Sequence, residues 1–189
     1  MSPEHSTLLA SLRQASLLPS KLIPEDFTPS TTVSITYPNK SINPGDLARV
    51  SEVAIAPNVA FSGDASAGYT FMMLDPDAPT PEDPKFAFWR HWVVARVKPS
   101  ASEGQGTLDS GVTLTRYLAP GPKDESGPHR YLFLVFREPE GVAIRREDVG
   151  GEEFVERRGF GAEEFVEGRG LQLVGVNWMR GVGDGWMEE

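Results

Sequence analysis

The sequence predicts a mainly β fold, and three observations carry that expectation. Sixteen prolines and nineteen glycines in 189 residues interrupt the chain too often for a helical bundle. Two runs, HWVVARV at 91–97 and YLFLVF at 131–136, are dense in β-branched and aromatic residues. Shorter apolar stretches bounded by turn-forming residues fill the space between and around them. A chain of this length suits one domain, 1–189, and is cramped for two.

The elements follow in order. Leu8, Leu9, Leu12 and Ala15 recur at helical spacing behind Ser6, which is expected to act as the N-cap of a short amphipathic helix. That helix belongs to an N-terminal extension over residues 1–20. Pro19, Pro24 and Pro29 keep the next stretch extended. Residues 33–37 (VSITY) alternate cleanly and stop at Pro38-Asn39, and 53–55 (VAI) form a short strand candidate before Pro57. Residues 69–74 (YTFMML) are apolar on both faces, the pattern of a central strand. Residues 171–178 (LQLVGVNW) supply a last strand.

A near-duplication lies between 136 and 171. Glu152-Glu153-Phe154-Val155-Glu156 recurs eleven residues later as Glu163-Glu164-Phe165-Val166-Glu167. Eleven residues make three helical turns to within about 20°, so both Phe-Val pairs are expected on one core-facing side. Gly159 and Gly161 argue for two short helices or a broken one. Two copies are too few for a solenoid. The segment reads as a local helical one with solvated glutamates.

Composition excludes several functions. A formal net charge of −9 opposes wrapping on nucleic acid, whose phosphates require clustered Lys and Arg. No cysteine is present, so disulfides, thiolate metal sites and cysteine nucleophiles are absent, and a reducing, cytoplasmic location is expected. The N-terminus lacks the basic-then-apolar pattern of a secretory signal, and no apolar run reaches the roughly 20 residues of a transmembrane helix. Gly63-Asp64-Ala65-Ser66-Ala67-Gly68 is not a nucleophile elbow, since Asp64 stands where glycine is required. No Gly-rich loop leads into a phosphate-binding lysine, and the glycines at 181–185 lack the context of a dinucleotide site. A non-enzymatic protein is expected, with no cofactor and no bound metal, although Asp and His together suit zinc chemically.

Three segments carry chemistry. Asp75-Pro76-Asp77-Ala78-Pro79 follows the central strand and sets two carboxylates in a proline-stiffened loop; on its own it reads equally as an ordinary Pro-Asp turn. Trp89-Arg90-His91-Trp92 opens one strong β run. In the span from Gly121-Pro122 to Gly127-Pro128-His129-Arg130-Tyr131, glycine and proline bend the backbone so that its N–H groups turn toward a cavity, just before the other strong run. A lone strand histidine is usually structural. Two of the three histidines at such strand ends, with carboxylates to fix their tautomers, suggest a pocket for an oxyanion.

These residues carry a resemblance. Asp75-Pro76-Asp77-Ala78-Pro79, with Asp83-Pro84-Lys85 and Trp89-Arg90-His91, is similar to the first signature of the phosphatidylethanolamine-binding protein family. Gly121-Pro122 with Gly127-Pro128-His129-Arg130-Tyr131 is similar to the second, and the likeness covers about residues 20–180. The resemblance implies a large antiparallel sheet beside a smaller one, a C-terminal helical segment, and a pocket for phosphate-type anions, including phospholipid head groups. It places Asp75, Pro76, Asp77, Pro79, Trp89, His91, Gly121, Pro122, His129 and Tyr131 at the ligand site, with Pro76 and Pro79 shaping the acidic loop. It makes Arg130 an ion-pair support of the acidic loop rather than a ligand contact. Ala119 stands where many members carry glycine and Lys123 where they carry a second proline, so the Ala is expected to narrow the mouth and the Lys to add a cation at its rim. The N-terminal extension and Asp26-Phe27-Thr28-Pro29-Ser30 resemble the fungal branch, which includes carboxypeptidase Y inhibitors. The expected function is therefore an anion or head-group binder that regulates a partner, with a signalling kinase as one candidate. The alternative is an inhibitor that blocks a serine carboxypeptidase with its N-terminal segment.

Overall fold

Tyr131, Phe133 and Val135 project to one side of a strand and Leu132, Leu134 and Phe136 to the other, and both sides are core. This strand is β8 (His129–Arg137) of a computed structural model that describes residues 2–99 and 107–188. Two-sided burial follows from a three-layer arrangement. A six-stranded sheet lies in the middle, a three-stranded sheet covers one face, and helices and loops cover the other.

The small sheet joins β1 (Ser34–Tyr37), β2 (Lys40–Ile42) and β4 (Asn58–Ala60) in the order β2-β1-β4, with antiparallel pairs. The large sheet runs β3 (Asp46–Arg49), β9 (Gln172–Val182), β8, β5 (Tyr69–Asp75), β6 (Trp89–Val97) and β7 (Val112–Thr115). Its pairs are antiparallel except at one edge, where β3 lies parallel to β9. Every residue of β5 is buried, as its unbroken apolar run predicts.

Helix α1 (Pro3–Gln14) packs on the face opposite the small sheet. Its N-cap is Ser2, whose side chain accepts from the His5 N–H at 3.2 Å, and not Ser6. Pro3 needs no N–H at the first helical position, so the helix begins earlier than the apolar stripe alone indicates. Leu8 and Leu12 are buried, together with Leu17 and Leu18 just beyond the helix.

Two sequence expectations differ from the structure. Residues 53–55 are not a strand. Val50–Val53 form one turn of 3-10 helix that drives Val53 into the core and leaves Ile55 exposed. The duplicated segment does not present both Phe-Val pairs to one core. Its first copy is a 3-10 turn, Phe154–Arg157, with Phe154 and Val155 in solvent; its second is α2 (Ala162–Gly168), with Phe165 buried. Gly159, at φ +57°, separates them, so no continuous helix carries the eleven-residue register. Strands β2, β3, β4 and β7 were not expected, being three or four residues long and partly polar.

Candidate functional site

The site lies where β5 ends and β6 and β8 begin. Leu74 pairs with Arg90 while Met73 pairs with Trp92, so His91 is the extra residue of a β-bulge. A bulge re-aims a side chain. Here it sets the His91 ring edge-on to Tyr131, with centroids 5.2 Å apart. Across the sheet, β8 brings His129 in to stack nearly parallel on the same tyrosine, at 6.4 Å and 18°.

The acidic loop divides its two carboxylates between two tasks. Asp75 accepts from the Asp77 N–H at 2.7 Å through Oδ1 and contacts His129 Nδ1 at 2.8 Å through Oδ2. That turn directs Asp77 away from the histidines and onto Arg130, which donates from its backbone N–H at 2.7 Å, from Nε at 2.9 Å and from Nη2 at 2.5 Å. Arg130 Nη1 reaches on to the Ala15 carbonyl at 2.7 Å and so ties the end of the N-terminal segment to the loop.

The two imidazoles are held in different states. His91 Nδ1 lies 2.7 Å from the Leu118 carbonyl oxygen, an acceptor, so this nitrogen carries hydrogen. Burial pushes the His91 pKa below its ordinary value and keeps the ring neutral, against the opposing pull of Asp75. His129 is also penalised by burial, but the hydrogen bond and charge of Asp75, with Asp77 and the Pro79 carbonyl, raise its pKa. Its Nδ1 is committed to Asp75, and its Nε2 is buried with no hydrogen-bond partner. Protonated His129 therefore presents an unspent N–H.

These groups line a cavity of about 450 Å³. Asp75, Pro79, Trp89, His91, Gly121, Pro122, His129 and Tyr131 all border it, while Pro76 and Asp77 do not. Ala119 and Lys123 stand on the wall. The 121–126 wall is anchored from outside, since Asp124 Oδ1 accepts from the Gly185 N–H at 3.0 Å.

Sequence reasoning placed Trp89 at the pocket but missed the rest of its aromatic mouth. Phe86, Trp89 and Phe154 surround the Arg158 guanidinium, with ring centroids 4.5, 5.5 and 5.9 Å from it. Phe154 was expected in the core, and nothing in the duplicated motif shows that its first copy faces the cavity. Arg157 was missed too. It is buried and donates to the carbonyls of Arg116 at 2.9 Å and His91 at 3.1 Å, which steadies the bulge. Among the described residues no group of three His, Cys, Asp or Glu side chains is placed to hold a metal ion, and no helix is long and apolar enough to cross a membrane.

Buried imidazole, a cavity with few polar groups and a charge-fixing carboxylate can bind an oxyanion; among the described residues no serine or lysine in the cavity wall is paired with either histidine as an activated nucleophile.

Comparison with known proteins bears on the family and the fold. The family model described as phosphatidylethanolamine-binding protein matches residues 25–177. The chain is 32% identical over 112 residues to Protein MOTHER of FT and TFL1 homolog 2 of Oryza sativa subsp. japonica, covering 59% of this chain and 60% of that one. It is 32% identical over 121 residues to Protein TERMINAL FLOWER 1 of Arabidopsis thaliana, covering 62% and 63%. The matches thus span about three fifths of the length of these curated relatives. Among solved structures, a carboxypeptidase Y inhibitor in complex with its cognate proteinase superposes with a TM-score of 0.77 at 21% identity, over 95% of this chain and 97% of that one. A phosphatidylethanolamine-binding protein from Plasmodium vivax gives 0.75 at 23% identity, over 93% and 97%. At these identities the structural likeness establishes the fold.

Proposed function

The chain belongs to the phosphatidylethanolamine-binding protein family, and from that premise we propose that it is a non-enzymatic binder of a phosphate-type anion, such as a phospholipid head group, whose occupancy regulates a protein partner. The observation that carries the reading is the unpartnered, buried Nε2 of His129 on a cavity wall, with Nδ1 fixed by Asp75. A buried donor without a partner is costly, and a ligand oxygen supplies the missing acceptor. Neutral His91 adds a second imidazole without a second buried charge. Ligand contacts are assigned to Asp75, Trp89, His91, Gly121, His129 and Tyr131, with Pro79 and Pro122 as walls and Asp77 and Arg130 as support. The overall charge of −9 repels anions, so capture depends on these local donors. The reading takes the protein as cytoplasmic, in keeping with a chain that carries no cysteine. Titration calorimetry with glycerophosphoethanolamine and with a simple phosphomonoester tests it. Saturable binding is expected, and undiminished binding in the His91→Ala, His129→Ala double variant rejects it.

A second reading, inhibition of a serine carboxypeptidase by residues 1–20, draws support from the likeness to the carboxypeptidase Y inhibitor. It requires the N-terminal segment to be available to a protease cleft. Leu8, Leu12, Leu17 and Leu18 are buried in the body and Trp178 Nε1 donates to Ser11 at 3.0 Å, which favours a structural role for the segment.

A further inference from the structure

Trp89 and His91 border the anion cavity, and Arg90 between them borders a different one on the other side of β6. The Arg90 side chain is 1% exposed. Its Nε donates to Thr115 Oγ1 at 2.8 Å and its Nη2 to the Gly151 carbonyl, and among the described residues no carboxylate lies within ion-pair distance of it. Burial and the like charge of Arg157 lower its pKa to about 10, against the more distant pull of Glu152 and Glu156. A buried cation held by neutral groups alone is costly, so this arrangement leaves a counter-charge to be supplied.

The guanidinium of Arg169 borders the same cavity, whose volume is about 410 Å³, as does that of Arg158, which borders the histidine cavity as well. Arg169 pairs with Asp148 through Nη2 at 2.7 Å, but its Nε is buried and has no hydrogen-bond partner. The guanidiniums of Arg90 and Arg169 are fixed by stacking. Arg90 lies 5.2 Å from the Phe160 ring and Arg169 lies 4.4 Å from Phe165, and the two rings are 5.6 Å apart. The carboxylates on the wall are largely committed: Asp148 also accepts from the Arg145 N–H at 2.8 Å, and Glu156 accepts from the Glu153 N–H at 3.0 Å. Glu164 completes the acidic set.

We propose that this second cavity is an oxyanion site, distinct from the histidine pocket, that takes a free phosphate- or sulfate-type anion between Arg90 and Arg169. Planar guanidinium forks match tetrahedral oxyanions, and stacking on phenylalanine removes the ordering cost of holding them in place.

The test is a titration of the wild-type protein with inorganic phosphate, followed through the arginine side-chain Nε–Hε resonances. Saturable shifts of the Arg90 and Arg169 signals are expected, with a dissociation constant different from that read at the His129 ring. In Arg169→Gln the Arg90 response should weaken about tenfold, the equivalent of one charge-assisted hydrogen bond, while the His129 response stays as before. In His129→Ala the arginine shifts should persist, which separates this site from the pocket. Arginine signals that do not move, or that move equally in a folded Arg169→Gln protein, overturn the proposal.

Discussion

Arg130 closes on Asp77 with its backbone N–H and two side-chain nitrogens, the shortest contact being 2.5 Å, and Asp77 is 1% exposed against 30% for its partner. The asymmetry decides what each deletion does. Removing the arginine strands a buried carboxylate, whereas the arginine itself has access to water.

Arg130→Ala should therefore destabilise the fold by about 3 kcal/mol, the low end for breaking a buried pair because the cation is partly solvated. In a protein of this size that lowers Tm by about 6–12 °C. A melting curve that does not move would show that Asp77 is adequately solvated without its partner.

Asp75→Asn removes the charge that holds the His129 pKa up, and burial then lowers it. Phosphomonoester binding near neutral pH should weaken about tenfold or more, and its loss with rising pH should begin at lower pH than in the wild type. Unchanged affinity and pH profile would place the anion elsewhere.

Gly183→Ala tests the outer anchor of the pocket wall. A Cβ at this position falls 2.8 Å from the Asp124 backbone nitrogen, too close to be accommodated without moving the 121–126 wall. Anion affinity should fall although no ligand-facing side chain has changed. Wild-type affinity in a folded variant would show that the wall shifts without consequence.

Deleting residues 1–20 should leave a protein that does not fold stably. Four leucines leave the core, each contributing about 1.5–3 kcal/mol before the ordering cost of the segment is subtracted, and Arg130 loses the Ala15 carbonyl. A folded truncation that still binds phosphomonoester and no longer inhibits a serine carboxypeptidase that the full chain inhibits would instead establish the inhibitory reading.

Much of this architecture was legible in the sequence because burial leaves a one-dimensional trace. The unbroken run of β5 and the dense runs of β6 and β8 announce the central sheet, and the acidic loop, His91 and His129 mark the end that borders the cavity. What escaped depends on long-range geometry. Arg90 and His91 are adjacent in the chain and border different cavities, and the bulge that aims His91 appears only once β5 and β6 are paired. The division of labour between Asp75 and Asp77 is likewise invisible in an Asp-Pro-Asp string, since it depends on which carboxylate meets Arg130. Phe154 and Phe165 occupy equivalent positions in a repeat yet differ in burial, because glycines break the helix that would have aligned them.

The pocket is tested most directly by following the two imidazoles through a pH titration by NMR, with and without saturating phosphomonoester. His129 should titrate above the ordinary histidine value and His91 below it. An anion that binds the protonated His129 must, by linkage, raise the His129 pKa further, and its affinity must fall as pH rises through that value. A bound ligand that leaves the His129 titration where it was would contradict the assignment of the site.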